Sequence, residues 1–274
     1  MIKRNLRTPV TALTIAGSDN SAGAGIQADL KTFSHFGVYG LTAVTCVVAE
    51  VPGHVSAIQA MTPEIVANQM RLSLMNFSIG AIKTGMLYSK EIIEAVVEVL
   101  REHGQGVPLV VDPVMVATSG DSLLLNDAIE AYRTQLLPMA TLITPNLDEA
   151  AVLWGQGKIQ SVEEMEIAGK ALGARFETAI LMKGGHLPGG SAVDLLIRGK
   201  QVWNYEALFV RDVMTHGTGC TYSAAIAANL GLGLALPEAV EKAKKYISEA
   251  IRQSFSWNPA SPLMALNHFA QDPG

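Results

Sequence analysis

Short apolar runs alternate with amphipathic segments along most of this chain, and this alternation restricts the fold more than any other feature. Runs rich in Val, Ile and Leu indicate buried strands, whereas apolar residues three and four apart indicate helices with one buried face. Such alternation predicts a parallel sheet covered on both faces, with right-handed crossovers. The predicted strands cover 10–16, 41–49, 81–82, 108–111, 140–144 and 178–182, the predicted helices 26–36, 62–77, 91–103 and 237–255, and a predicted hairpin 192–197 with 201–210.

Polar residues follow these apolar runs at the point where each run ends. The carboxyl ends of parallel strands open onto the ligand crevice of such a sheet, so these side chains are expected along one edge. Each residue alone is more typical of a cap or a turn, and only the recurrence indicates a site. The residues are Asp19, Glu50, Lys83, Asp112, Asn146, Glu149 and Lys183.

Residues 215–228 place two glycines and small polar residues directly before an Ala-rich apolar helix. The first turn of a helix has unpaired backbone N–H groups at the positive end of the helix dipole, and glycine lets an anion approach the backbone. This stretch therefore predicts a phosphate site, where a transferred group would meet Cys220. The alternative is structural: Gly217 and Gly219 form a tight loop, with Thr218 or Thr221 as the helix cap.

A second glycine-rich segment, residues 17–25, also joins a predicted strand to a predicted helix. It lacks the third glycine of the dinucleotide-binding pattern and the Gly-Lys-Ser/Thr of the P-loop. This segment is therefore weak evidence for nucleotide binding.

The composition is that of a soluble protein with a large core. The chain has 274 residues, 49% of them hydrophobic, and a net charge of −5. Because an acidic chain does not attract polyanions in general, nucleic acid is excluded as a partner and any phosphate must be held locally. Cys46 and Cys220 have neither the spacing of a metal site nor the density of a disulfide scaffold, which fits a reducing cytoplasm. We expect one domain over 1–274, without a secretory leader or a membrane-spanning segment.

The last predicted helix carries charged residues on one face, and this face is expected to be solvated. Residues 257–262 form the loosest stretch and precede a terminal segment whose role the composition does not indicate. The charged face consists of Glu238, Glu241, Lys242, Lys244, Lys245 and Glu249.

Five motifs, spread over almost the whole chain, resemble those of the hydroxymethylpyrimidine/phosphomethylpyrimidine kinases of thiamine biosynthesis. They occur in that family's order and spacing, and the family belongs to the ribokinase-like superfamily. The pyridoxine and pyridoxal kinases of the same superfamily include close look-alikes with the same Gly-x-Gly-Cys turn. The motifs are 16–19 with 23–33, Asp112-Pro113-Val114-Met115-Val116, 144–150, Lys183-Gly184-Gly185-His186 and His216-Gly217-Thr218-Gly219-Cys220-Thr221.

The resemblance implies a ribokinase-like α/β fold, with a central, mostly parallel sheet and helices on both faces. It also implies transfer of the γ-phosphate of ATP to a primary hydroxyl, a reaction that depends on positioning and on neutralising charge. By resemblance the catalytic residues are Cys220, Lys183, Gly217 and Gly219, the ATP-binding residues are Asn146, Lys183, Thr218 and Gly219, and the Mg²⁺ ligands are Asp112 and Glu149.

Cys220 takes the place that Asp holds in the sugar kinases of the superfamily, so the resemblance makes it the candidate base toward the substrate hydroxyl. A thiol at a helix N-terminus can have a lowered pKa, which would suit this role. The alternative is that Cys220 only packs against the substrate and the hydroxyl proton leaves with the phosphate.

On the substrate side the resemblance points to Asp19, Ala24, Met86 and Val114 around an aromatic ring. The chain departs from the family at Glu50, where these kinases usually have Gln. An amide both donates and accepts hydrogen bonds, whereas an ionised carboxylate only accepts. Three alternatives follow: Glu50 accepts from the exocyclic amine and a protonated ring nitrogen, Glu50 favours a pyridine substrate, or Glu50 lies in a shifted loop and touches nothing.

The first functional hypothesis is an ATP- and Mg²⁺-dependent kinase of 4-amino-5-hydroxymethyl-2-methylpyrimidine and its monophosphate. The second is a pyridoxine or pyridoxal kinase of vitamin B6 salvage. The third is a non-catalytic protein that binds such a ligand on an inherited kinase fold. The resemblance also suggests a homodimer.

Overall fold

A nine-stranded sheet forms the centre of the computed structural model, which describes residues 8–115, 126–185, 187, 191–210, 216–257 and 263–270. Parts of the sequence motifs, including Val116, His186 and Thr215, lie outside the described residues, as do 258–262 of the terminal stretch. The strands are β1 (Thr11–Asp19), β2 (Tyr39–Val51), β3 (His54–Ala60), β4 (Ile79–Thr84), β5 (Leu109–Val111), β6 (Leu142–Ile143), β7 (Ala179–Lys183), β8 (Ser191–Arg198) and β9 (Gln201–Leu208).

The strand order across the sheet is β3-β2-β1-β4-β5-β6-β7-β8-β9. Six adjacent strands are parallel, namely β2, β1, β4, β5, β6 and β7. The antiparallel β3 closes one edge of the sheet, and the antiparallel hairpin of β8 and β9 closes the other. The chain winds outward from β1 to one side and then continues from β4 to the other, so the order reverses between β1 and β4. A crevice is expected beyond the carboxyl ends of the strands at such a reversal.

Helices cover both faces of this sheet. On one face lie α2, α3, α4, α5 and α6, and on the other α1, α7 and α8. Their bounds are α1 (Gly25–His35), α2 (Pro63–Asn76), α3 (Lys90–His103), α4 (Asn126–Ala131), α5 (Leu147–Trp154), α6 (Val162–Phe176), α7 (Thr218–Gly231) and α8 (Leu236–Arg252), with a π-helical turn (Tyr132–Leu136) and a 3₁₀ turn (Leu137–Met139) after α4, and a small antiparallel pair β10 (Phe255–Ser256) and β11 (Met264–Ala265) after α8.

Successive residues of the central strands pack into the two different cores. In β1, Leu13 and Ile15 join the core under α2 and α3, whereas Ala12 joins the core under α7 and α8. Because both faces are covered, β1 is buried over nearly its whole length and shows no alternation of apolar and polar residues. The mostly parallel α/β fold with helices on both faces is therefore confirmed.

The predicted strands and helices are confirmed to within a few residues, but several elements have no counterpart in the sequence-based prediction. These are β3, α4, α5, α6, the π-helical and 3₁₀ turns after α4, and the pair of β10 and β11. Strand β3 follows the Pro52-Gly53 turn, in which Gly53 adopts a φ of 86°, and pairs antiparallel with β2. Among the described helices, none has the length and apolar character needed to cross a membrane.

Lys83 lies inside β4 and is buried, so the prediction that it belongs to the polar edge of the sheet is wrong. Its Nζ contacts both carboxylate oxygens of Asp29 on α1, at 2.9 and 2.8 Å, and Asp29 also accepts from the Thr14 hydroxyl. Burial alone would lower the pKa of Lys83, but the charge of Asp29 raises it. This pair ties α1 to the centre of the sheet.

We predict that Lys83→Met lowers the free energy of unfolding by about 3–5 kcal/mol, because it leaves Asp29 buried without its counter-ion. Denaturant unfolding measures the change. Lys170→Met is the control, since Lys170 pairs with Glu166 on the surface of α6 and its loss should cost less than about 0.5 kcal/mol. Equal stability of the two variants would contradict the role given to the Lys83–Asp29 pair.

Candidate active site

A cavity of about 600 Å³ opens at the carboxyl ends of the parallel strands. It reaches from the end of β2 to the first turns of α7 and the body of α8. Apart from Lys83, every site residue expected from the sequence lines this one cavity, namely Asp19, Ala24, Glu50, Met86, Asp112, Val114, Asn146, Glu149, Lys183, Gly217, Thr218, Gly219 and Cys220.

Helix α7 begins in the cavity without a side-chain cap. Gly217 occupies the position before the first turn, with a φ of 80°, and supplies no side-chain oxygen. The expectation that Thr218 or Thr221 caps the helix is therefore wrong, and the Thr221 hydroxyl lies 3.0 Å from Nε2 of His268 instead. The first turn offers its N–H groups and the positive end of its dipole to an anion.

The start of α7 interlocks with the glycine turn before α1. A Cβ added to Gly217 would overlap the carbonyl oxygen of Gly23, and one added to Gly25 would lie 2.5 Å from the carbonyl oxygen of Gly17. Gly25 also adopts a φ of 59°. Its N–H lowers the pKa of the Cys220 thiol, against the larger effect of burial. Cys220 thus lies where the first turns of two helices meet.

In the same turn, Asp19 occupies several of the backbone amides. The Asp19 carboxylate accepts from the backbone N–H groups of Ser21, Gly23 and Ala24 at 2.6, 3.1 and 2.8 Å. Nε2 of His216 lies 3.1 Å from the same carboxylate. The N–H groups of this glycine-rich turn are therefore used within the protein, unlike those at the start of α7.

Lys183 and Asp112 form an ion pair beside the first turn of α7. Nζ of Lys183 lies 2.9 Å from Oδ1 of Asp112, which also accepts from Thr144, while Oδ2 accepts from Ser223. Burial alone would lower the pKa of Lys183, but Asp112 and Glu149 raise it. The ammonium therefore stays charged, at the end of β7 and next to the α7 amides.

Asn146 and Glu149 begin α5 as a reciprocal cap. The Asn146 side chain accepts from the Glu149 N–H at 2.9 Å, and the Glu149 carboxylate accepts from the Asn146 N–H at 2.8 Å. Burial, with the negative charge of Asp112, raises the pKa of Glu149 to about 8, although Lys183 opposes this shift. The cap fixes both side chains at the cavity wall, so a structural role and a role in the site coexist.

Cys220 lies in the first turn of α7, yet its thiol is less acidic than its position predicts. Burial raises the pKa of Cys220 to about 11, and the nearby Asp29 and Asp112 add to the rise while Lys83 opposes it. The expectation of a lowered pKa is therefore wrong for the free site. Burial of the thiol outweighs the effect of the helix N-terminus.

Glu50 lies within β2 at a register shift against β3, and its side chain lines the cavity. Its N–H donates to Oδ1 of Asn20 at 2.7 Å, which fixes the strand end to the turn after β1. The alternative in which Glu50 sits in a shifted loop and touches nothing is wrong.

The opposite half of the cavity is mostly apolar and lies between β9 and α8. Ala207, Leu208 and Phe209 contribute one wall, and Ile247 and Ile251 the other. Tyr222 of α7 closes this half from below.

Lys244 of α8 is buried at this end, with 8% of its surface exposed, so the prediction that it belongs to a solvated face is wrong. Its Nζ lies 2.6 Å from Oδ2 of Asp194, whose Oδ1 accepts from the Gly184 N–H at 3.0 Å. Asp194 thereby holds the backbone that follows Lys183.

The family model described as phosphomethylpyrimidine kinase matches residues 19–263 of this chain. The chain belongs to the phosphomethylpyrimidine kinase family. A curated relative from Rhizobium meliloti, a hydroxymethylpyrimidine/phosphomethylpyrimidine kinase, is 46% identical over 88% of this chain and 90% of its own. The expectation of a kinase of this family is confirmed.

Solved structures of two kinases superpose on this family member. The Bacillus subtilis pyridoxal kinase, solved as an ADP complex, matches with a TM-score of 0.89 and 38% identity, over 96% of this chain and 98% of the other. The phosphomethylpyrimidine kinase of Clostridium difficile matches with a TM-score of 0.78 and 41% identity, over 88% and 99%. This chain thus shares its fold with both kinds of kinase.

Two parts of the site were not assigned from the sequence. His216 stood within a motif without a role, and Lys244 with Asp194 was not recognised as part of the cavity. His216 immediately precedes Gly217, which is a local signal that could have identified it. Asp194 and Lys244 are 50 residues apart, and no pattern in either segment indicates their contact.

We predict that alkylation of Cys220 by iodoacetamide accelerates about tenfold for each pH unit between pH 7 and pH 10, without a plateau. The thiolate is the reactive species, and its fraction grows in this way below a pKa of about 11. Mass spectrometry of the labelled peptide measures the rate. Cys46→Ser serves as the control, because Cys46 is fully buried and its removal should leave the Cys220 rate unchanged. A plateau near pH 8 would show a lowered pKa instead.

Proposed function

We propose that this family member transfers the γ-phosphate of ATP to 4-amino-5-hydroxymethyl-2-methylpyrimidine and then to its monophosphate, in thiamine biosynthesis. The observation that carries the proposal is the position of the α7 N-terminus within one cavity, between an apolar half and a half that ends in Asp19 and Glu50. A nucleotide base on one side and a small polar ring on the other would share this anion site. The named relatives support the choice of substrate.

The phosphate side needs positive charge and hydrogen-bond donors where charge develops during transfer. We propose that the N–H groups of Gly217, Thr218 and Gly219 bind the transferred phosphoryl group, and that Lys183 neutralises the ATP phosphates. Asn146 would contact the nucleotide from the start of α5. The apolar walls between β9 and α8 would enclose the adenine ring.

The donor set of Asp112 and Glu149 fits Mg²⁺, because two carboxylates are hard oxygen ligands and Mg²⁺ keeps its remaining positions for water and phosphate. Both residues line the cavity near Lys183. When bound, Mg²⁺ would supply neutralisation of the phosphate charge. Since the pKa of Glu149 is about 8 in the free site, this carboxyl would have to lose its proton when it binds the ion.

Cys220 is proposed to contact the acceptor hydroxyl, which would meet the phosphoryl group at the start of α7. With a pKa of about 11, Cys220 is a thiol at neutral pH. This favours the alternative in which the hydroxyl proton leaves with the phosphate, over the role of Cys220 as a base. Asp19, Ala24, Met86 and Val114 would hold the ring of the acceptor.

A pyridoxine or pyridoxal kinase is the second candidate function. An ionised Glu50 in place of the usual Gln would favour it, because it could not donate to a pyrimidine ring nitrogen, and the likeness to the Bacillus subtilis pyridoxal kinase adds support. A third candidate, a non-catalytic binding protein, is disfavoured because the cavity keeps the phosphate-binding turn, Lys183 and both carboxylates.

We further infer a cytoplasmic homodimer in which residues 1–274 act as one kinase domain. The free, unpaired state of Cys46 and Cys220 supports a reducing compartment. Exposed Leu72 and Met75 on α2 offer apolar surface that a second subunit would cover.

The test is ADP release from purified protein with Mg-ATP and, in parallel, the hydroxymethylpyrimidine, its monophosphate, pyridoxine or pyridoxal. The proposal predicts the highest kcat/KM for the pyrimidines, whereas preference for the pyridines would assign the protein to vitamin B6 salvage.

The role of Cys220 is tested with Cys220→Ala, which is measured beside the wild type, with nucleotide affinity as the control. If Cys220→Ala lowers kcat by about 10²–10⁴-fold, the result would support Cys220 as the base. A loss of less than about tenfold would support a packing role for Cys220.

A further inference from the structure

Three titratable side chains from distant parts of the chain meet at the substrate end of the cavity. Asp19 ends β1, Glu50 lies near the end of β2, and His216 precedes α7. One ligand atom of each lies within 4.8 Å of the others. The cluster therefore forms the polar wall that a substrate ring would face.

Asp19 in this cluster is tied to the turn that follows β1. Its Oδ2 accepts from the N–H groups of Gly23 and Ala24, from the Ser21 hydroxyl and from His216, and its Oδ1 accepts from the Ser21 N–H. Although burial alone would raise it, these hydrogen bonds lower the pKa of Asp19 to about 2. Asp19 is thus a fixed negative charge that orders the turn.

His216 lies against Asp19, where its charged form is favoured. Burial alone would lower the pKa of His216, but its hydrogen bond to Asp19 and the carboxylates of Asp19 and Glu50 raise it. When His216 is protonated, the pair of Asp19 and His216 is neutral overall. A negative charge on Glu50 would then be in excess among these three side chains.

Glu50 accordingly lies where its charged form is disfavoured. Burial and the negative charge of Asp19 raise the pKa of Glu50, and only His216 opposes the rise. Of the other titratable groups, Cys46 on the same strand is neutral, since burial raises its pKa to about 11. Two further titratable residues lie nearby. His54 pairs in register with Val51, next to Glu50 on β2, and Lys31 donates to the Ala22 carbonyl.

We propose that Glu50 binds the aminopyrimidine ring as a neutral carboxylic acid, with its hydroxyl donating to a ring nitrogen and its carbonyl accepting from the adjacent exocyclic amine. This inference rests on the proposed function and specifies how the ring is recognised. A protonated carboxyl has one donor and one acceptor side by side, like the amide of Gln. The departure from the family at this position then preserves the hydrogen-bond pattern.

The same geometry discriminates against pyridines. The ring nitrogen of pyridoxine or pyridoxal is flanked by a methyl group on one side and a C–H on the other, so only one of the two hydrogen bonds can form. A buried polar group left without a partner reduces affinity. Neutral Glu50 therefore selects the aminopyrimidine.

The proposal links affinity to pH with a definite sign. Because the bound form carries a proton on Glu50, the pKa of this carboxyl is higher in the complex than in the free protein. Affinity is then fully present below the free-protein pKa, falls up to tenfold per pH unit above it, and levels off only above the pKa of the complex. Binding by an ionised Glu50 to a neutral ring would give the opposite sign.

The experiment measures the dissociation constant of the hydroxymethylpyrimidine between pH 5.5 and pH 9 for the wild type and Glu50→Gln, with the ultraviolet spectrum of the bound ring. We expect wild-type affinity to fall at least tenfold across the range, the variant to lack this component, and the bound ring to show the spectrum of its neutral form. Gln is isosteric with Glu, and a melting curve of each protein checks the fold.

Each other outcome overturns the proposal in its own way. If the affinity of Glu50→Gln falls with pH as much as that of the wild type, the titrating group is His216 or the ligand. If the wild-type affinity rises with pH, Glu50 binds in its ionised form. A protonated-ring spectrum would show an ion pair in which the proton resides on the pyrimidine. If the pyrimidine neither binds nor supports ADP release, the proposed function fails as well, whereas turnover with the wrong pH sign refutes only the state of Glu50.

Discussion

The steric contact between Gly217 and the Gly23 carbonyl is the constraint on which the site depends. No side chain fits between the turn before α1 and the turn before α7, so the two helices begin against each other. This contact places Cys220 beside the start of α1 and His216 against Asp19. The anion site and the polar wall of the cavity are therefore two consequences of one backbone approach.

Two ion pairs at different depths set the charge of the cavity. Lys83 and Asp29 neutralise each other below the floor, while Lys183 and Asp112 form the pair that an incoming nucleotide would meet. Because burial raises the pKa of Cys220 more than Lys83 of the deep pair lowers it, the thiol remains protonated despite its place at a helix N-terminus. Local position and burial thus act on Cys220 in opposite directions, and burial prevails.

Much of this arrangement could be predicted from local sequence, because strand ends, glycine turns and helix starts have local causes. Asp112, Asn146 and Lys183 lie at the cavity as their positions after apolar runs predicted. The burial of Lys83 and Lys244 could not be predicted in this way, because each is paired with a carboxylate more than forty residues away. A sequence pattern shows where a charge lies along an element and does not show which distant group compensates it. The pairing of Asp19 with His216, 197 residues apart, is of the same kind.

The most direct measurement compares the ATP-dependent kcat/KM of Gly217→Ala and Gly37→Ala. Both glycines have a positive φ, but a Cβ on Gly37 meets nothing within 4 Å, so this variant isolates the backbone strain of about 1–2 kcal/mol. We predict that Gly37→Ala keeps kcat/KM within about twofold, whereas Gly217→Ala, which displaces the α7 start, loses at least about a hundredfold. Equal activity of the two variants would contradict the claim that this contact assembles the site.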